Sequence, residues 1–314
     1  MSRVAAVDCG TNSLRLLIAD RSEDQTHNIA RINNIIRLGE GVDETGMISS
    51  AAIERARNVL AHYVDLMERE GVHNVRMVAT SATRDASNRD EFFAMTAELL
   101  GRIQPGAQAE VISGEEEAIL SFIVATRDVP HRSDPACVID LGGGSTEFVV
   151  GIPETGELAG AYSTQMGCVR LTERFLHTQP PTEEEIAAAR QWTRDQIARM
   201  LEEVPMDTAR TVVGCSGTFT TLSAVAQGLE EYDAQQIHMS QLRASGLHVL
   251  TGRLLRQTPA QREESPVISH GRADVLGGGA IIVEEILDLL AEGPGLDHLY
   301  ISEQDILDGI VASL

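Results

Sequence analysis

Shifted by 132 residues, the sequence overlays itself: "VDCGTNSLRLLI" (7–18) falls on "IDLGGGSTEFVV" (139–150). Asp8 meets Asp140, Gly10 meets Gly142, Ser13 meets Ser145 and Arg15 meets Glu147, and each copy then runs into apolar residues. Each copy reads strand, Gly-rich turn, strand, which is a β-hairpin with an Asp at its mouth. An internal repeat of this kind constrains the fold strongly, because it predicts two homologous halves facing each other.

Between and after the hairpins, strands alternate with helices. The spacing of Ile53, Leu60, Val64 and Met67 predicts a helix over 49–70, stopped by Gly71. Residues 74–80 read as a buried strand, 88–100 as a helix, 109–113 as a strand and 115–127 as a helix. In the second half, Thr182 and Glu185 form a capping box that opens a helix to about 203. A strand follows at 210–215, a turn entering a helix from 216, helices at 239–256 and 273–291, a strand at 297–302 and a closing helix. The class is α/β with mixed sheets, since each half starts with an antiparallel hairpin. The segment "DVPHRSDP" (128–135) reads as a linker, giving domains 1–131 and 132–302, with the last helix (303–314) completing the first.

The two turns suggest anion binding. Successive amides of Gly10, Thr11 and Asn12, and of Gly142, Gly143 and Gly144, can hold phosphate without side-chain charge, and glycine allows close approach. Asp8 and Asp140 end their strands, where carboxylates can hold a hydrated Mg²⁺. The phosphate-loop signature ends in a lysine, yet this chain has no lysine: all 25 of its basic residues are arginines. Arg15, Arg84, Arg89 and Arg272 are the candidates to replace it, because an arginine fork grips phosphate oxygens in pairs. Arg84 lies in "VATSATRDASN" (78–88), read as a polar loop leaving a strand. A third site, "VGCSGTFTTL" (213–222), places Gly214, Ser216, Gly217 and Thr218 at a helix start, which favours an anion.

"ISGEEEAIL" (112–120) puts three glutamates in a first helical turn, where the helix dipole favours acids. Crowded carboxylates also raise one another's pKa, which suits a base that takes a proton from water. Cys9–Arg15 and Cys168–Arg174 both fit the C-x5-R spacing of cysteine phosphatases. That chemistry needs a low-pKa thiolate. Cys9 instead follows an aspartate, and its partner in the repeat is Leu141, so neither thiol is expected to act.

Charge and cysteine usage exclude other classes. With 47 acids the net charge is −22, which opposes nucleic-acid binding. A polyanionic substrate would have to be met by local arginines or by metal ions. The four cysteines, Cys9, Cys137, Cys168 and Cys215, are scattered without C-x-x-C spacing, pointing to reduced thiols in a cytoplasmic protein. No apolar run is long enough to span a membrane, and the start "MSRVAAVDCG" is unlike a signal peptide.

"DCGTNSLRLLIAD", "ATSATRDASN", "VISGEEEAIL", "DLGGGSTEFVVG", "GCVRLTERF" and "GCSGTFTTL" occur in the order seen in the Ppx/GppA phosphatases, and the chain resembles that family over essentially its whole length. The resemblance implies two ribonuclease-H-like domains of the actin, Hsp70 and sugar-kinase superfamily, with the active site in the cleft between them. By motif it implies Glu117 as the base for water and Asp140 and Glu147 as metal- and water-organising acids, with Asp8 as their counterpart. By motif Asn12, Ser13, Arg84, Gly142, Gly143, Gly144 and Ser145 would bind phosphate, and Thr11, Gly217, Thr218 and Arg272 join them as candidates from the residues themselves. The cofactor implied is Mg²⁺ or Mn²⁺, held by Asp8, Asp140 and Glu147. The activity implied is removal of terminal phosphate from inorganic polyphosphate or, by the same chemistry, hydrolysis of guanosine pentaphosphate. A superfamily kinase and a non-catalytic nucleotide-binding scaffold are the more distant alternatives, and a homodimer is a family-level expectation. Long members carry a further HD-type helical region, and this sequence, ending at Leu314, is expected to be the short, two-domain form. It also reads "SEQDILDG" (302–309) where many members have S-x-x-G-L-R-x-G.

Overall fold

The computed structural model describes residues 2–22 and 26–314. In chain order it contains β1 (Ser2–Cys9), β2 (Ser13–Arg21), β3 (Thr26–Ile35), α1 (Val42–Thr45), α2 (Ser50–Arg69), β4 (Asn74–Ala79), α3 (Ser81–Asp85), α4 (Arg89–Leu100), β5 (Ala109–Val111) and α5 (Gly114–Ala125). There follow β6 (Ala136–Leu141), β7 (Thr146–Ile152), β8 (Glu157–Thr164), α6 (Cys168–Phe175), α7 (Glu183–Met200), β9 (Thr211–Cys215), α8 (Ser216–Ala226), α9 (Ala234–Ile237) and β10 (Ser240–Arg243). The chain closes with α10 (Ala244–Leu255), α11 (Pro259–Arg262), α12 (His270–Ala273), α13 (Leu276–Glu292), β11 (His298–Ile301) and α14 (Ile306–Ser313).

The chain separates into two units, Met1–Leu120 with Ile306–Leu314, and Ser121–Asp305. The first holds a five-stranded sheet in the order β3-β2-β1-β4-β5. Strands β1, β2 and β3 are antiparallel neighbours, while β4 runs parallel to β1 and β5 parallel to β4. The second holds β10-β11-β9-β6-β7-β8, in which β8-β7-β6-β9 repeats β3-β2-β1-β4 in order and direction. Even the irregularities correspond: β2–β3 shifts register after Ile18 and β7–β8 after Val150, positions 132 apart.

Side-chain alternation along the central strands explains the layers. Ala5, Val7 and Cys9 face one core with α2 residues Leu60, Tyr63 and Val64, while Val4 and Ala6 face the other with Ile306, Ile310 and Val311 of α14. A strand covered on both faces must be apolar throughout, as β6 is, with all six residues buried. Helix starts follow their caps: the Ser49 hydroxyl accepts from Ala52 N, and Thr182 with Glu185 forms a capping box for α7.

The division between units falls inside α5, not at 131/132. Leu120 packs with Val4 and Ala6 in the first unit. Its neighbour Ser121 donates to Asp140 at 2.6 Å, and Phe122 lies against Gly151, both in the second. The 128–135 segment is held by the second unit as well: Arg132 Nη2 donates to Pro153 O and Glu154 N to Arg132 O. The helix expected over 239–256 starts at Ala244, because 240–243 pairs antiparallel with β11 as a short polar edge strand. The closing helix starts at Ile306.

Candidate active site

The two hairpins carry their polar residues in matching rows. In the first unit Asp8 stands opposite Arg15 and Arg15 opposite Asn33; in the second Asp140 stands opposite Glu147 and Glu147 opposite Ser163. Directly paired residues project from the same face of a sheet, about 5 Å apart at Cβ. The turns match too, with Gly10 N donating to Ser13 O and Gly142 N to Ser145 O, each at 3.0 Å. In each unit other segments capture the turn's carbonyls. Thr11 O accepts from Gly39 N and Asn12 O from Ile36 N and Arg37 N; Gly142 O accepts from Cys168 N and Gly143 O from Val169 N and Arg170 N. Engaging these carbonyls covers the negative ends of the turn's peptide dipoles, which favours an anion near its amides. Gly167 is required for this docking, since a Cβ there would lie 2.3 Å from Gly143 C and O.

In the first unit the row is an ion pair. Arg15 donates through Nε and Nη2 to Asp8 Oδ2, at 2.9 and 2.6 Å, and Asp8 is 3% exposed. Thr11 and Asn12 are buried at the turn, and the Thr11 hydroxyl is buried without a hydrogen-bond partner among the described residues. Arg84 sits on the short helix α3, not in a loop, and is half-buried. Its Nη1 donates to Glu117 Oε2 at 2.8 Å and to Ile112 O at 3.0 Å. Its Nη2 is buried with no acceptor among the described residues. Arg89 is exposed at the start of α4 and stands apart from this group.

In the second unit two carboxylates are neighbours. Asp140 accepts from Ser216 Oγ at 2.5 Å through Oδ1 and from Ser121 Oγ at 2.6 Å through Oδ2. Glu147 accepts from Ser163 Oγ at 2.7 Å, and both acids are nearly fully buried. Ser216 has φ 71, in the left-handed region that costs a non-glycine residue about 1–2 kcal/mol. That conformation carries the chain from β9 into α8 and sets its hydroxyl on Asp140. Gly217, Thr218 and Arg272 are brought together: a Cβ on Gly217 would lie 2.2 Å from the Arg272 guanidinium nitrogens. The Thr218 hydroxyl is buried without a partner among the described residues. Ser121 and Ser163, which hold the two carboxylates, carry no sequence signal; Ser216 carried the weak signal of a Gly-rich turn at a helix start.

Among the described residues there is no group of three or more His, Cys, Asp or Glu able to hold a metal ion. Asp140 and Glu147 fit a hard cation nonetheless, as two oxygen donors side by side, since Mg²⁺ is commonly held by one or two carboxylates together with substrate phosphates. Asp8, the third expected ligand, is held by Arg15 through its Oδ2. The cysteines behave as core residues. Burial, with Asp8 adding to it, pushes the Cys9 thiol well above its ordinary range, and burial raises that of Cys168. No described helix is long and apolar enough to cross a membrane.

The profile of the Ppx/GppA phosphatase family matches residues 17–313. Exopolyphosphatase 2 of Mycobacterium tuberculosis is 50% identical over 318 residues, covering 100% of this chain and 99% of that protein. Among solved structures, an exopolyphosphatase-like protein superposes with a TM-score of 0.91 at 40% identity, covering 99% of this chain and 98% of the other. The Ppx/GppA protein of Aquifex aeolicus superposes with a TM-score of 0.79 at 31% identity, over 99% of this chain and 97% of the other.

Proposed function

The chain belongs to the Ppx/GppA phosphatase family, and from that premise we propose that it is an exopolyphosphatase, a hydrolase that releases terminal orthophosphate from inorganic polyphosphate. The observation that carries the reading is the Arg84–Glu117 pair. A half-buried arginine whose Nη2 can still donate stands beside a carboxylate, its Nη1 at 2.8 Å from Glu117 Oε2. A phosphoryl oxygen would take the spare donor, and Glu117 would orient a water and accept its proton. The 50% identity to Exopolyphosphatase 2 over nearly the whole length of both chains supports polyphosphate as the substrate.

The second unit supplies the turn Gly142–Ser145, with Thr218 and Arg272, for phosphate oxygens. Asp140 and Glu147 would hold Mg²⁺, or Mn²⁺, which would neutralise phosphate charge as it develops. The serines around Asp140 and Glu147 keep those carboxylates aimed, so that little reorganisation is needed during reaction. Glu117→Gln keeps the shape of the base and removes its proton-accepting charge. It is expected to abolish phosphate release while leaving binding of labelled polyphosphate intact. Near-normal release by that variant would refute the role of Glu117. Parallel assays on guanosine pentaphosphate, with and without chelator, separate the nucleotide reading and test the metal.

A further inference from the structure

Twenty-five arginines share this chain with 47 acids, and most arginines are engaged. Six of them, Arg89, Arg127, Arg199, Arg243, Arg253 and Arg256, make no side-chain hydrogen bond or ion pair among the described residues. Three of these six lie on one face of α10 and its flanks. Arg243 precedes the helix, Arg253 is in its last turn and Arg256 is its C-cap, and all three are exposed.

Their spacing builds a track. Gly246, Val249, Arg253 and Arg256 recur every three or four residues, which keeps them on one side of α10, and Arg243 ends β10 just before the helix and lines the same groove as Gly246, Val249 and Arg253. From Gly246 to Arg256 the helical face runs about 15 Å at the helical rise. It borders two adjoining grooves. One of about 540 Å³ is lined by His248, Val249, Arg253, Arg256 and Gln257. The other, of about 290 Å³, includes Arg243, Gly246, Val249 and Arg253 together with Val225 and Ala226 of α8. The two share Val249 and Arg253, and neither lining contains an acid. Beyond that lining, His248 Nε2 lies 3.5 Å from Asp288, and Asp297 feels the charge of Arg243 at longer range.

In a protein of net charge −22, an acid-free row of arginines is a local attraction within a repelling field. We infer that this face of α10 is a subsite for a linear phosphate polyanion, holding the part of a long substrate that is remote from the reacting terminus. Charge complementarity selects that occupant: a repeating anion can engage cations spaced along one elongated face. The groove touches α8 at its C-terminal residues, whereas Ser216, which holds Asp140, opens the same helix. A chain bound here adds affinity through phosphates that are not being cleaved, and shorter substrates forgo it.

This inference rests on the polyphosphate reading above, and its test separates the two. The triple variant Arg243→Gln, Arg253→Gln, Arg256→Gln removes the charge from exposed positions, so its thermal midpoint should match the wild type. For polyphosphate of about 100 units at low salt, KM should rise about tenfold with kcat unchanged, and the dependence of KM on salt should flatten. For tripolyphosphate, KM should not move. An unchanged KM on long chains, or an equal rise on tripolyphosphate, overturns the subsite; the first outcome would leave the face to an acidic protein partner that also covers Val249. If the wild type releases phosphate from neither substrate, the functional reading fails. Equilibrium binding of labelled polyphosphate to the wild type and the triple variant then tests the track alone, and equal dissociation constants overturn it.

Discussion

One row of backbone positions appears twice in this molecule with different charges. In the first unit it carries Asp8, Arg15 and Asn33, and in the second Asp140, Glu147 and Ser163. Strand order, direction, turn hydrogen bond and bulge are the same in both. The first row neutralises itself through two Arg15 hydrogen bonds to Asp8. The second sets two buried carboxylates beside each other and steadies them with serine hydroxyls, which bring no charge. The adjacent strand sharpens the contrast. Val78 stands opposite Asp8 and Cys215 opposite Asp140; the next residues are Ala79 in one unit and the strained Ser216 in the other. The backbone therefore sets where polar groups can go, and the side chains decide whether a row carries an ion pair or two like charges.

The comparison breaks most visibly at position 147. Glu147→Gln keeps the Ser163 contact and removes one of two like charges. We expect kcat to fall about a thousandfold, with the thermal midpoint unchanged or raised because repulsion with Asp140 is relieved. A lowered midpoint with activity retained would make the second row structural, like the first. Arg15→Gln should do the reverse. Removing one partner of an ion pair whose side chains are only 15% and 5% exposed should cost about 3 kcal/mol in denaturant unfolding. The folded fraction should keep kcat within a few-fold. A large kcat loss with little change in stability would assign Arg15 to the chemistry.

Ser216 offers a smaller and more discriminating test. Ser216→Ala loses the hydroxyl on Asp140 and keeps the strained φ, so it should lose about 1–2 kcal/mol of stability and about tenfold in kcat. Ser216→Gly loses the same hydroxyl but relieves the strain, since glycine adopts φ 71 without penalty. It should match the alanine variant in kcat and exceed it in stability by about 1 kcal/mol. If both variants keep wild-type kcat, the serine serves only to steer the chain into α8.

Much of this arrangement could be read in the sequence because the relevant signals are local. Gly-rich turns between apolar runs mark hairpins, and the seven-residue separation of Asp8 from Arg15 and of Asp140 from Glu147 already implies cross-strand partners. Thr182 and Glu185 mark the start of α7 in the same way. What escaped depends on the packing of distant segments. The unit boundary lies within one continuous helix, where neither composition nor turn residues change, because Leu120 and Ser121 simply pack in different units. The edge strand β10 is four residues long and mostly polar, so it has no apolar alternation to announce it. Ser121 and Ser163 reach their carboxylates from 19 and 16 residues away, a closeness that only the folded chain creates.

The smallest effects should come from the cysteines, and they bear on the comparison directly. Cys9 and Leu141 occupy the same position after the paired aspartates, and each is buried at 1% exposure in its own core. If the position is a packing site in both units, the thiol needs no reactivity. Burial and the charge of Asp8 hold it protonated well past neutral pH, and a buried neutral thiol is a poor nucleophile. Cys9→Ala and Cys168→Ala should each keep kcat within about twofold while losing a modest amount of stability to the cavity left behind. Iodoacetamide at pH 8 should leave the native enzyme active, and the four buried thiols should react only after unfolding. Inactivation of the native protein at a rate that follows modification of Cys9 would break the equivalence with Leu141. It would also return the Cys9–Arg15 spacing to consideration as a catalytic motif.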